Sequence, residues 1–183
     1  MTNQKRKYAK LAGWLLFSTV MIACDGNTEL MEKAISGDPQ SVREIVEKGS
    51  VVDEENNYGW TALAHAARQN ETATIAVLLD AGANINHQDN DGWTPLMRAA
   101  SKGNLEATQL LLLRGANIDM KEQYGWTALM WATNRGHANI VSELLARGAD
   151  INIKDSSGRT ALIIARSEGF PDIVNLLEQA GSK

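Results

Sequence analysis

Cysteine, proline and aromatic residues are all scarce in this chain: one Cys, three Pro and ten aromatics in 183 residues. The lone cysteine, Cys24, excludes an intramolecular disulfide and any metal site built from several cysteines. Proline at positions 39, 95 and 171 alone leaves long stretches open to helix. The three histidines, His65, His87 and His137, fall at unrelated positions. The chain has no His-Glu-x-x-His, no glycine-flanked nucleophilic serine and no Gly-x-x-x-x-Gly-Lys phosphate loop. Its carboxylates are scattered and form no evident catalytic pair. Enzymatic activity, a metal, a cofactor and a small-molecule substrate are therefore not expected. Positive charge is concentrated at the start, in Lys5, Arg6, Lys7 and Lys10. Removing those four from 18 basic residues leaves 14 against 22 acids, a net of −8 beyond residue 23. That balance disfavours nucleic acid, whose binding depends on cationic contacts to phosphate. A hydrophobic content of 44% with 22% charged residues excludes a wholly disordered chain.

The basic start is followed by an uncharged run from Leu11 to Ala23, the layout of a secretory signal at residues 1–23. Thirteen residues of helix reach about 20 Å, short of a bilayer core of about 30 Å. The sequence Met21-Ile22-Ala23-Cys24 closes the run and resembles the lipobox of bacterial lipoproteins. That resemblance implies cleavage after Ala23 and a diacylglyceryl group on Cys24. Met21 departs from the Leu usual there, and an ordinary signal with a coincidental cysteine is the competing reading. Two or three acyl chains would hold the protein firmly, since each buried methylene contributes about 0.8 kcal/mol. Asp25, after the cysteine, implies in enteric-type bacteria retention at the inner rather than the outer membrane.

What the chain has in abundance is repetition. Gly59-Trp-Thr-Ala-Leu, Gly92-Trp-Thr-Pro-Leu, Gly125-Trp-Thr-Ala-Leu and Gly158-Arg-Thr-Ala-Leu stand 33 residues apart, and Gly26-Asn-Thr-Glu-Leu lies one period earlier. Gly49, Gly82, Gly115, Gly148 and Gly181 repeat at the same spacing, as do Val52, Ile85, Ile118 and Ile151. Each unit reads as two short helices and a turn. In the third, Thr94 caps the first helix, Pro95 opens it, Leu96, Met97, Ala99 and Ala100 face inward, and Gly103 ends it. Leu105 and Leu110 to Leu113 belong to the second helix. A unit of this size cannot bury its own apolar face, so the units must stack.

The recurring order Thr-Pro-Leu, Ala-Ala, Gly, Leu-Leu, Gly-Ala, Ile-Asn or Ile-Asp resembles the ankyrin repeat family, over residues 26–183. The resemblance implies an all-α solenoid of about five helix-turn-helix units with short hairpin-like connections: 26–58, 59–91, 92–124, 125–157 and 158–183. The first unit, rich in charge, and the last, without a further hairpin, read as caps. The family often has His after Thr-Pro-Leu. Here Met31, Ala64, Met97, Met130 and Ile163 fill that slot, so apolar packing is expected to replace the usual hydrogen bond between repeats. Asn70 stands where a glycine ends the first helix elsewhere, tolerable because Asn also adopts left-handed geometry. His137 is expected to cap the second helix of its unit and His87 to be solvated.

In this family the contact surface is the concave one, made of hairpin tips and the outer side of the first helices. The matching positions include Tyr58, Trp60 and Arg68, then Trp93, Arg98 and Lys102. Further along they include Tyr124, Trp126, Trp131, Arg135 and Arg159. Seven aromatics lie beyond residue 24, and six fall in this set, Phe170 being the exception. Trp, Tyr and Arg are the types that dominate interface hot spots. Trp60, Trp93 and Trp126 occupy identical slots, which fits either contact residues or a ladder covering the first helices. Trp131, Arg98, Arg135, Tyr58 and Tyr124 vary from unit to unit, as a recognition surface does. The expected function is a periplasmic, lipid-anchored protein that binds one protein partner, touching the membrane through its N-terminal lipid only. An immunity or inhibitor protein against a toxin or envelope enzyme, or a protective partner of a stress enzyme, are narrower alternatives.

Overall fold

The computed structural model describes residues 25–181; the signal-like segment and Cys24 lie outside them. Among the described residues there are ten helices and no strand. They come in five pairs: α1 (Glu29–Ile35) and α2 (Pro39–Glu47), α3 (Ala62–Gln69) and α4 (Thr72–Asp80), α5 (Pro95–Lys102) and α6 (Leu105–Leu113), α7 (Ala128–Asn134) and α8 (Ala138–Ala146), α9 (Ala161–Glu168) and α10 (Pro171–Gly181). The first helices form one row, α1 to α3 to α5 to α7 to α9. The second helices form a row behind them, and each first helix also packs on its own partner.

Local chemistry sets both ends of every first helix. Thr28, Thr61, Thr94, Thr127 and Thr160 hold extended backbone, and each hydroxyl accepts the N–H three residues on. Such a cap contributes about 1 kcal/mol. The helices then end where the chain turns left-handed, at Gly103 (φ 83°) and at Asn70 (φ 64°) in the equivalent slot. Asn is one of the few residues that enters this region cheaply. Two short helices close together need small side chains at their contact. Ala66, Ala67, Ala99, Ala100, Ala132 and Ala165 are fully buried there.

The core is a single ribbon of apolar side chains between the two rows, continuous from Leu30 to Leu177. Met31, Ala64, Met97 and Met130 are at most 3% exposed, so apolar packing does occupy the slot where the family often has histidine. Ile163, in the same slot of the last described unit, is 46% exposed, with no further unit over it among the described residues.

Two histidines differ from expectation. His137 stands at the start of α8 but makes no side-chain cap bond to it; its Nε2 lies 3.3 Å from the Ser101 carbonyl of the preceding unit. His87 is not solvated: its Nε2 lies 2.9 Å from the Gly59 carbonyl and 3.5 Å from Glu55, and its side chain is only 13% exposed. Asn104 behaves like His137, donating to the Ala67 and Arg68 carbonyls at the end of α3. The last carbonyls of a helix have no partner within it. Here the next unit supplies one, and the stack is thereby joined by polar bonds as well as by burial.

Candidate functional site

The hairpin tips ahead of α3, α5, α7 and α9 share one design. Asn56, Asp89, Glu122 and Asp155 recur at 33-residue spacing and are 4–8% exposed. One side-chain oxygen of each accepts two backbone N–H groups, from the residues two and four positions on: Tyr58 and Trp60, Asp91 and Trp93, Tyr124 and Trp126, Ser157 and Arg159. Between the two donors the chain turns at a left-handed glycine, Gly59, Gly92, Gly125 or Gly158. This series was missed in the sequence because an Asn, Asp or Glu in a polar connection looks like any solvated loop residue. The 33-residue recurrence was the signal that could have found it.

The tips are bonded to one another along the stack. Asn57 donates its N–H to the Asp25 carbonyl, Asn90 to Tyr58, Gln123 to Asp91 and Ser156 to Tyr124, at 2.9–3.1 Å. Asp25, expected from the sequence to be a sorting residue, is seen here to anchor the first tip through its carbonyl. Tyr58 and Tyr124 stand out from these tips, 56% and 61% exposed.

Each tip fixes the direction of the residue after its glycine, and the first helix behind it presents a second side chain beside it. The two sets interleave. Trp60 lies 4.8 Å from the His65 ring and has the Arg98 guanidinium 3.9 Å from its ring centroid on the other side of the unit junction. Arg98 is also 4.3 Å from Trp93. Trp93 meets Trp131 at 4.2 Å, Trp131 meets Trp126 at 4.6 Å, and Arg159 lies 5.4 Å from Trp126. Among the described residues no ring contact joins Trp60 to Trp93 or Trp93 to Trp126. The tryptophans do form a ladder over the first helices, but its alternate rungs are His65, Arg98 and Trp131. Arg98 and Trp131, varied from unit to unit, are thus half-buried rungs that position the ladder.

Charge follows the same order. Arg98 pairs with Asp89 beneath it through a short ion pair, the two side chains 15% and 2% exposed. Burial lowers the Arg98 pKa, partly offset by the Asp89 carboxylate. His65 is pushed down to about 4 by burial and then by the Arg68 and Arg98 charges, so it is neutral at pH 7. Arg159 pairs with the Asp155 of its own tip at 2.9 Å. Burial alone would raise the Asp155 pKa; the Arg159 and Ser157 N–H bonds and the Arg159 guanidinium outweigh it, and the net shift is downward.

Between these rungs and the ends of the first helices lies an open groove of about 440 Å³, lined by Trp60, Trp93, Arg68, Arg98, Ser101, Lys102 and Arg135. Six of the eleven positions expected to meet a partner thus line one groove. Tyr124, Trp126, Trp131 and Arg159 line a neighbouring one of about 250 Å³ on the next units. Tyr58 stands at a tip outside both. Among the described residues no three His, Cys, Asp or Glu side chains gather as metal ligands would, and no helix is long and apolar enough to cross a membrane.

A family model described as ankyrin repeats (3 copies) matches the chain over residues 9–89, 30–122 and 100–183. No curated protein matches it.

Proposed function

This chain belongs to the ankyrin repeat family, whose members are in general non-catalytic interaction scaffolds, and from that premise we propose that it binds a single protein partner on the concave face while held at a membrane by a lipid on Cys24. Interaction with protein is the general property of the repeats. The face and the anchor are the finer parts of the reading.

The observation that carries the face is the interleaved ladder. Its rungs are locked by ring contacts, an ion pair and tip hydrogen bonds, so the surface loses little conformational freedom on docking. Preorganisation of that kind leaves more of the contact energy as affinity, because immobilising each flexible side chain otherwise costs about 0.5–1.5 kcal/mol. Around the rigid rungs stand groups with unused surface: Tyr58 and Tyr124 at the tips, Lys102 and Arg135 at the helix ends. The basic start, the uncharged run and Met21-Ile22-Ala23-Cys24 support the anchor. Only four residues, five chain steps, separate Cys24 from Glu29, the start of α1. A chain that short spans at most about 18 Å, so an anchored solenoid would sit close to the lipid surface. Asp25 supports retention at the inner membrane, on the periplasmic side.

The face is tested by placing a photo-crosslinking phenylalanine derivative at Tyr58 or Tyr124 in cells, with Leu113 on the outer row as control. Discrete protein adducts at the two tyrosines and none at Leu113 support it. Adducts of equal yield at Leu113, or none at either tyrosine, would refute it. The anchor is tested by Cys24→Ala and labelled palmitate. Release from the membrane fraction with loss of label is expected, and unchanged fractionation would reject it.

A further inference from the structure

Cations are in the minority on this molecule, yet four of the 14 basic residues beyond residue 23 line one groove. No acidic side chain lines it with them. Five of the eight arginines among the described residues hold a carboxylate: Arg98, Arg114, Arg147, Arg159 and Arg166. Arg68 and Arg135 hold none among the described residues, and neither does Lys102. Arg98 forms the floor and is neutralised by Asp89. The other three stand above it on three successive units: Arg68 and Lys102 in the last turns of α3 and α5, Arg135 just past the end of α7.

Basic residues near a helix C-terminus favour the helix dipole, and that is the competing account. It does not explain their distribution. The slot of Lys102 and Arg135 holds Ser36 in the first unit and Glu168 in the last, where the helix dipole is the same. Lys33 and Arg166, in the last turns of α1 and α9, each stand beside a carboxylate, Asp38 at 4.0 Å and Glu178 at 2.7 Å; the helix-end cations that hold none among the described residues are on the three central units, where the groove runs.

We infer that this groove takes an extended acidic segment of a partner protein, its carboxylates on Arg68, Lys102 and Arg135 and its backbone along the edges of Trp60 and Trp93. The inference rests on the docking reading above and names the chemistry of the partner. Guanidinium groups present a planar fork that fits a carboxylate, and indole edges pack on peptide planes. The cations stand on successive helices along a row and do not converge from all sides on one point. That suits several carboxylates spaced along a chain better than a single phosphate. An opposite-charge strip of this kind also raises the encounter rate and makes it salt-dependent.

The probe is a short fluorescent peptide alternating Glu and Tyr, with its Gln counterpart as control, titrated into the purified protein by fluorescence anisotropy. Binding of the Glu peptide that weakens with added salt, without binding of the Gln peptide, is expected. The triple variant Arg68→Glu, Lys102→Glu, Arg135→Glu should weaken it about 100-fold, at about fivefold per exposed charge. The milder triple Arg68→Gln, Lys102→Gln, Arg135→Gln should weaken it about tenfold and guards against loss of fold, which circular dichroism checks. Equal affinity for both peptides, or no effect of either triple, would overturn the inference. So would preferential binding of phosphatidylglycerol vesicles or of a single-stranded oligonucleotide. If the Glu peptide fails to bind while the Tyr58 and Tyr124 adducts persist, the acidic segment is wrong and the docking face stands. If the adducts also vanish, the docking reading itself has failed.

Discussion

Replacing Asp89 by Ala removes three interactions from one tip. Its Oδ1 accepts the Asp91 and Trp93 N–H groups at 3.0 Å each, and its Oδ2 holds the Arg98 guanidinium. The site is dry: Asp89 is 6% exposed. A buried donor left without a partner costs about 1–3 kcal/mol. Removing one member of a buried ion pair costs about 3–5 kcal/mol. The two losses overlap, because Arg98 keeps its contacts with Trp60 and Trp93 and water can reach a vacated tip. A destabilisation of about 3–5 kcal/mol is expected. At about 2–4 °C per kcal/mol for a chain of this size, the midpoint should fall by roughly 6–20 °C. Thermal and urea unfolding followed by far-UV circular dichroism measures it. The second unit provides the internal control. Asn56 occupies the same slot and accepts the Tyr58 and Trp60 N–H groups without a charge. Asn56→Ala should cost the backbone part, about 1–3 kcal/mol, and the neutral bond that its Nδ2 donates to Asn27 Oδ1 at 2.7 Å. Asp89→Asn, which keeps an acceptor for the two N–H groups, should fall between. If Asp89→Ala costs no more than Asn56→Ala, the Arg98 pair contributes no more than the neutral Asn56–Asn27 bond and the ladder is not fastened as argued.

Three further outcomes are expected. His65 titrates near 4 when folded and near 6.5 when unfolded, so the unfolded chain takes up the proton first. Its contribution is fully present above pH 6.5 and is lost as pH falls toward 4, on the order of 3 kcal/mol, at about 1.4 kcal/mol per pH unit. His65→Gln should flatten the stability profile in that window, and an unchanged slope in a denaturant series across pH would reject the burial argument. Gly59 and Gly148 both have positive φ, but a Cβ on Gly59 would stand 2.8 Å from the Asn90 backbone nitrogen, whereas one on Gly148 meets nothing within 4 Å. Gly148→Ala should therefore cost only the left-handed strain, about 1–2 kcal/mol, and Gly59→Ala visibly more; equal unfolding midpoints would contradict this. Thr133 stands where α3 and α5 have Ala67 and Ala100, and its hydroxyl is buried without a partner. Thr133→Val keeps the shape, removes the stranded oxygen and should raise stability by about 1 kcal/mol in urea titration; a loss would show that the hydroxyl has a partner.

The order of the two helices in each unit, and the caps and ends of the first helices, were legible in the sequence. Thr94 before Pro95, Gly103 after Lys102 and Asn70 in the glycine slot act within one turn of backbone, so neighbouring residues suffice to determine them. The 33-residue period then required stacking, since no unit alone could keep Leu96, Met97 and Ala99 from water. The contacts between units were not legible. Nothing near Arg98 in the chain says that it will lie between Trp60 and Trp93, or that Asp89 will sit under it. Nothing near His137 says that it will serve the end of the preceding unit instead of its own helix. Ile163 carries the same apolar character as Met130, and its place at the end of the described stack is what leaves it exposed. Sequence determined what is local because backbone preference and side-chain period are short-range. The stack alone decided which residues became rungs, because residues about 30 to 40 positions apart meet across a junction whose distances and angles are set by both faces together.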